Sequence, residues 1–157
     1  MDLYNYNLDQ IKEIIEKNLN IKEELLARSN PNIKVYVAEH TNDIYLLKLL
    51  SNDKELVVRR EVAKNDNCTV EILEKLSKDK PIVLKYVLKN KNVTKDIFES
   101  VLYNSDLSTK YLIISSNFCP IYILKKLIKN ESFSCIINHI NFTSEMLEEV
   151  FYDCNSF

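Results

Sequence analysis

The apolar residues of this chain recur in adjacent pairs with a period close to 25 positions. An asparagine follows each pair, and successive asparagines are 25, 25, 25 and 24 residues apart. A fixed period of this length predicts a repeat architecture, in which each copy of the pattern buries its apolar face against its neighbours. The pairs are Val37-Ala38, Val62-Ala63, Val87-Leu88, Leu112-Ile113 and Ile136-Ile137, and the asparagines are Asn42, Asn67, Asn92, Asn117 and Asn141.

A second apolar group follows the asparagine in every copy. It consists of a pair and one further apolar residue three or four positions on, which is helical spacing. We therefore predict an all-α fold with two helices of about ten residues in each copy. Strands fit less well, because a chain with no glycine lacks the residue that tight hairpins favour. The second groups are Leu46-Leu47 with Leu50, Ile72-Leu73 with Leu76, Ile97-Phe98 with Val101, Ile123-Leu124 with Leu127, and Met146-Leu147 with Val150.

Polar residues mark the predicted helix ends. First helices are expected to begin after the capping clusters Asn30-Pro31, Asn52-Asp53, Asp79 with Pro81, 104–106 and 130–132. Second helices are expected to begin at Thr69, Thr94, Cys119 and Thr143, with Pro120 at a first helical position and Asn42 or Asp43 as the cap in the first copy.

The first helices need residues at their C-terminal ends that tolerate the left-handed conformation. Glycine is the usual residue there, and this chain has none. Asparagine is the next best choice, and Asn65 and Asn90 follow their apolar pairs at the right place. His40 and His139 occupy the same column in the first and last copies. We expect all four residues to terminate helices.

The chain is predicted to have three parts. Residues 1–25 form an N-terminal helical cap, since the end of a repeat array must replace a missing neighbour. Residues 26–151 form an array of about five copies, and residues 152–157 form a C-terminal tail without periodicity.

Composition narrows the functional classes. With 157 residues, of which 46% are apolar, the chain can bury a core, and its net charge of −2 gives no global attraction to nucleic acid or to an anionic membrane. Charged residues interrupt every apolar stretch of the first twenty, MDLYNYNLDQIKEIIEKNLN, which excludes a secretory signal. No window approaches eighteen uninterrupted apolar residues. We expect a cytoplasmic protein that does not associate with membranes.

The segment VRREVAKNDNCTVEILEKLSKD, residues 58–79, resembles the leucine-rich repeat variant family. That family pairs Val-Arg, then Val-Ala, then an asparagine loop and a leucine-rich segment ending near Asp. The likeness extends over about residues 26–150, although Val58-Arg59 is the single Val-Arg pair and Asp66 stands where the family favours proline. The resemblance implies a right-handed superhelical solenoid of HEAT-like helix pairs that binds other proteins. An iron–sulfur segment precedes the repeats in some members, but residues 1–25 contain no cysteine, so no cofactor is expected.

Catalytic and metal sites are not expected. Cys68 and Cys119 lie two copies apart, about 20 Å at roughly 10 Å per copy, which is too far for a disulfide or a shared metal. His40 and His139 lie four copies apart, so they cannot form a pair. Buried, reduced thiols and helix-end histidines are the more consistent interpretation.

One surface feature suggests binding. Arg60, Lys85 and Lys110 share a column in the three central copies, Lys64 and Lys89 lie one turn further on, and Tyr86 and Tyr111 stand beside the column. A basic and aromatic stripe of this kind could bind an acidic peptide or phosphate. Alternatively, the lysines solvate the helices and the tyrosines lean on the next copy. The candidate binding residues are Arg60, Lys85, Tyr86, Lys110 and Tyr111.

The leading functional hypothesis is a non-enzymatic scaffold that binds an unidentified protein partner. The alternative is a nucleic-acid binder or a base-excision enzyme, since some HEAT-like folds are glycosylases for alkylated bases. The net charge and the absence of tryptophan, a large stacking surface, argue against nucleic acid. A piece of a larger repeat protein, with no partner of its own, is a third possibility.

Overall fold

A computed structural model describes residues 30–103 and 105–130, together with residues 9, 10 and 13. These residues contain eight short helices and no strand, which confirms the all-α prediction. No helix in this part of the chain is long and apolar enough to cross a membrane. The fifth copy and residues 152–157 lie outside the described residues, as does most of the predicted cap. The helices are α1 (Pro31–His40), α2 (Ile44–Leu50), α3 (Leu56–Lys64), α4 (Val70–Leu76), α5 (Pro81–Val87), α6 (Lys95–Tyr103), α7 (Leu107–Ile114) and α8 (Ile121–Asn130).

The chain divides into two compact units, Met1–Asn92 and Val93–Phe157. In the first unit, the first helices of three successive copies pack side by side, α1 on α3 and α3 on α5. The second helix α2 contacts α1 and α3, and α4 contacts α3 and α5 in the same way. In the second unit, α6 packs on α7. Each second helix of the first unit therefore lies between two first helices, and the copies depend on one another for burial.

The apolar pairs form the core of the first unit. All six side chains of the pairs Val37-Ala38, Val62-Ala63 and Val87-Leu88 have no exposed surface. The groups on α2 and α4 are also buried, and so are Ile97, Phe98, Ile123, Leu124 and Leu127 of the second unit. The sequence prediction of two buried groups in each copy is confirmed for these residues.

The predicted register is wrong by one residue in the fourth copy. Leu112, predicted to be a core residue, is half-buried, and the buried pair is Ile113-Ile114. Three consecutive apolar residues gave the pattern no polar position from which to choose the inward face. Val101, the predicted third core residue of α6, is also half-buried.

Most predicted helix starts are confirmed by their hydrogen bonds. The side chains of Asn30, Asp43, Thr69 and Asp106 are N-caps that accept from backbone amides of α1, α2, α4 and α7. Two starts differ from the prediction. Helix α3 begins at Leu56, three residues after Asp53, and α8 begins at Ile121, so Pro120 precedes the first helical residue.

A row of buried polar side chains follows the first helices. The side-chain oxygens of Thr41, Asn65, Asn90 and Ser116 each accept a hydrogen bond from the backbone N–H two residues later, over 3.1, 2.8, 2.9 and 3.1 Å respectively. Asn65 is extended, with φ −66° and ψ 129°, so the expected left-handed terminus is wrong there. Thr41, not His40, is the equivalent of Asn65. His40 is exposed and its ring stacks on Tyr36, with 4.1 Å between ring centroids.

The amides of two of these side chains join successive copies. Asn65 Nδ2 donates to the carbonyls of Ala38 at 2.8 Å and Thr41 at 2.9 Å. Asn90 Nδ2 donates in the same way to the carbonyls of Ala63 at 2.8 Å and Asn65 at 2.9 Å. These carbonyls belong to the C-terminal ends of α1 and α3, where helix geometry leaves carbonyl groups without partners. In each asparagine, the side-chain nitrogen therefore donates to carbonyls at the end of the preceding first helix. The side-chain oxygen of the same residue accepts from the loop that follows it.

Replacing Asn65 with Ala should lower the free energy of unfolding by about 2–3 kcal/mol, because buried carbonyls on α1 lose their donor. Asn67→Ala is the matched control, since Asn67 is exposed two residues away, and it should change stability by less than about 0.5 kcal/mol. Urea denaturation measures both. Equal losses in the two variants would contradict the bridging role of the Asn65 amide.

Val62→Asp should unfold the first unit cooperatively, because it places an unpaired charge at a position with 0% exposure, at a cost of about 3 kcal/mol or more. Leu73→Asp on α4 should have the same effect. The control is Val57→Asp on the same helix, where the native side chain is 39% exposed. Circular dichroism during thermal unfolding distinguishes them, and wild-type stability in Val62→Asp would overturn the assignment of the core.

Candidate functional site

The predicted binding residues lie on three first helices. Arg60 is on α3, Lys85 and Tyr86 are on α5, and Lys110 and Tyr111 are on α7. The first three belong to the first unit and the other two to the second. Tyr111 is 49% exposed, whereas the other four are half-buried.

A carboxylate that the stripe prediction did not use lies at the centre of the first-unit residues. Glu61 is 3% exposed, and its Oε1 is 2.6 Å from Arg60 Nη2 while its Oε2 is 2.6 Å from Lys64 Nζ. Burial opposes ionisation of Glu61, but the hydrogen bonds from Lys64 and Arg60 outweigh it and lower the pKa of the carboxyl group. Arg60 is therefore held by an internal partner. The three-residue separation of Glu61 and Lys64 within one helix is the sequence signal for this cluster.

A cation–π contact continues the cluster onto the next helix. Lys64 Nζ lies 5.5 Å from the centroid of the Tyr86 ring, which connects α3 to α5. Lys85 and Lys89 place two more ammonium groups on α5 and its C-terminal end, and neither makes an ion pair within the described residues. We call Arg60, Lys64, Lys85, Tyr86 and Lys89 the basic face. Four cations and one buried carboxylate make this surface positive, although the whole chain carries a net charge of −2.

A second charged region lies in the first unit, where the loops that follow α2 and α4 meet α3. Lys34 Nζ is 2.8 Å from Asp53 Oδ2, and one copy later Arg59 Nη2 is 2.9 Å from Asp79 Oδ1 while Arg59 Nε contacts Asp79 Oδ2 at 2.5 Å. The hydrogen bond from Arg59 lowers the pKa of Asp79 even though burial opposes it. At Asp53 burial is the largest single effect and raises the pKa, but the hydrogen bonds from Lys34 and from the backbone amide of Glu55, with the charges of Lys34 and Lys54, together lower it. These pairs were not predicted, although the Val-Arg pair of the repeat contains Arg59.

A hollow of about 330 Å³ opens beside these pairs. Residues 51–53 line one part of it, and Arg59, Lys75, Lys78 and Asp79 line the rest together with Leu76. Lys75 Nζ donates to three oxygens of the first loop, the carbonyl and hydroxyl of Ser51 at 3.0 Å each and Asn52 Oδ1 at 2.5 Å. The hollow therefore combines paired carboxylates with a lysine whose acceptors are all neutral.

The described cysteines are buried, as expected. Burial raises the pKa of Cys68 and of Cys119 to about 12, which disfavours the thiolate that nucleophilic chemistry requires. Neither forms a disulfide. The described part of the chain contains no group of three or more His, Cys, Asp or Glu side chains arranged to hold a metal ion. Cys135, Cys154 and His139 lie outside it.

Comparison of the chain with protein-family models, with curated proteins and with solved structures gave no match. The resemblance to the leucine-rich repeat variant family therefore stays a prediction.

The Arg59–Asp79 pair should make stability dependent on pH in the acidic range. Because the pKa of Asp79 is lower in the folded chain than in the unfolded chain, the pair contributes fully above the unfolded value of about 3.9. Its contribution is lost as the pH falls through the folded value. Asp79→Asn should cost about 2 kcal/mol at pH 7 and progressively less below pH 4.

Urea denaturation from pH 7 to pH 2.5 measures this dependence. Asp66→Asn is the control, because Asp66 pairs with Lys91 at the surface, where both side chains are more than half exposed. It should change stability by less than about 0.5 kcal/mol at pH 7. An Asp79→Asn deficit that stays constant over the whole range would contradict the assigned ion pair.

Proposed function

We propose that this chain is a non-enzymatic α-helical repeat scaffold that mediates protein–protein interaction. In this proposal, two-helix copies form a right-handed superhelical solenoid and the partner binds the layer of first helices. The observation that carries the proposal is the contact from Arg60 through Glu61 and Lys64 to Tyr86, which extends from one first helix to the next. Recognition spread over successive copies is how repeat scaffolds build an extended binding surface.

The chemistry of the basic face favours an acidic partner segment. Arg60 and Lys64 are already ordered by Glu61, so less side-chain entropy is lost when a partner binds them. Lys85 and Lys89 supply charge that no carboxylate of the described residues pairs with. Tyr86 adds an aromatic surface of the kind enriched at binding hot spots.

Nucleic acid is the second candidate partner, because rows of lysine also neutralise phosphates. The net charge of −2 argues against a phosphate backbone, because the chain as a whole does not attract nucleic acid. Salt dependence distinguishes the two partners, because counterion release makes duplex binding fall steeply with salt.

The test is affinity capture from native lysate with three forms of the full chain. These are the wild type, a Lys85→Glu, Lys89→Glu variant, and a Lys54→Glu, Lys95→Glu control with the same charge change at exposed positions outside the basic face. A bound protein should be retained by wild type and control and reduced about tenfold or more by the basic-face variant. Urea denaturation first establishes that all three forms have equal stability.

The captured protein is then tested with purified components at low and high salt, alongside duplex DNA. Tyr86→Ala should weaken binding of the acidic partner relative to the wild type. Equal capture by all three forms would show that the basic face does not carry the interaction. Tight duplex binding that is abolished by moderate salt would favour the nucleic-acid alternative.

A further inference from the structure

The hollow between the two loops lies apart from the basic face, and none of the five basic-face residues lines it. Its carboxylates are already neutralised. Asp53 is paired with Lys34 and its side chain is 9% exposed, and Asp79 is paired with Arg59 and its side chain is 15% exposed. The remaining charges are the ammonium groups of Lys75 and Lys78, and both residues are exposed. The accessible charge of the hollow is therefore positive.

The two lysines differ in how they are held. Lys75 Nζ donates to Ser51 and Asn52, so its charge is fixed in position, and the nearby Asp79 carboxylate offsets that charge only in part. Lys78, three residues later, makes no ion pair within the described residues. A fixed charge requires no ordering when a ligand arrives, while the exposed ammonium group of Lys78 can form direct hydrogen bonds to the ligand.

We propose that this hollow is a binding site for an anionic group, either a carboxylate or a phosphate, which Lys75 attracts and Lys78 contacts directly. The volume of about 330 Å³ is at the lower end of the range of small-ligand sites and accommodates such a group. Arg59 closes one side of the site, because its guanidinium is fixed by Asp79 and by the carbonyls of Asp53 and Lys54. Asp53 and Asp79 also line the hollow, and each is already paired with a cation of the fold.

The electrostatics of Lys75 agree with this geometry. Partial burial lowers its pKa and the positive charge of Arg59 lowers it further, while the Asp79 carboxylate raises it in part. An anion in the hollow would favour the ammonium form of Lys75 and raise its pKa, which is the behaviour expected of a site for an anionic group.

Inorganic phosphate is the first probe, titrated into the full chain at constant ionic strength so that screening does not change. Backbone amide shifts of residues 51–53 and 75–79 are followed by NMR. We expect saturable shifts confined to these residues in the wild type, and about tenfold weaker binding in Lys78→Gln and in Lys75→Gln. Lys78→Gln leaves the Lys75 bonds to Ser51 and Asn52 intact, so the test does not depend on a variant that loosens the loop.

Lys54→Gln is the matched control, because it removes an exposed charge beside the hollow without lining it. It should bind phosphate within about twofold of the wild type. Shifts that rise linearly without saturating, or equal weakening in Lys54→Gln and Lys78→Gln, would overturn the proposal. Lys85→Glu on the basic face should leave phosphate binding unchanged, which separates this site from the proposed partner surface.

A capped hexaglutamate peptide is the second probe and distinguishes the source of the anion. Saturation by the peptide that competes with phosphate and is weakened by Lys78→Gln would identify an acidic side chain of a partner. Saturation by phosphate alone would identify a free phosphate-containing ligand. Saturation by neither probe would eliminate the site.

Discussion

The packing of the first helices depends on the side-chain amides of Asn65 and Asn90. A helix C-terminus leaves carbonyl groups without partners, and in a buried interface water does not supply the missing donors. One asparagine forms hydrogen bonds in two copies at once. Its side-chain nitrogen donates to a carbonyl of the preceding first helix, and its side-chain oxygen accepts from the loop that follows it. A left-handed glycine terminus would satisfy a helix from within but would not connect it to its neighbour.

A second contact fixes the other part of the same helices. Lys34 is the fourth residue of α1 and Arg59 the fourth of α3, and each is paired with an aspartate in the loop before the next first helix. The amide bridges hold the C-terminal ends of these helices, and the ion pairs hold their N-terminal halves. Helix α3 is therefore held at both ends, and it carries Arg60 and Lys64 of the basic face and Arg59 of the hollow. This limits the reorganisation that binding to these residues requires.

The sequence predicted the helices and most of the core because both follow from local periodicity. The sequence was less informative in the run Leu112–Ile114, because three apolar residues in a row do not show which two face the core. The buried pair was therefore predicted one residue too early. The conformation of Asn65 was missed for a different reason. The preference for left-handed asparagine describes an isolated helix end, and here hydrogen bonds to the previous copy hold an extended backbone instead.

The candidate site was predicted as a column of similar residues, and the structure adds the contacts between them. Column spacing places Arg60 and Lys85 at equivalent positions on neighbouring helices, but it says nothing about Glu61, which is a single acidic residue among tyrosines at its column. The hollow was not predicted, although lysines stand at the positions of Lys75 and Lys78 in the fourth copy as well, as Lys126 and Lys129. Column spacing does not show that the loops of two successive copies meet.

Two groups of charged residues differ in what they contribute to the fold. Carboxylates with little exposure, Glu61, Asp53 and Asp79, each have a cation of their own, and removing such a partner leaves a shielded charge uncompensated. The cations Lys78, Lys85 and Lys89 have no such role, and exposed charges of this kind contribute little to folding. Lys85 lies on α5, and Lys78 and Lys89 come shortly after the ends of α4 and α5, so all three are at least partly exposed and accessible to the anionic partner and ligand proposed above.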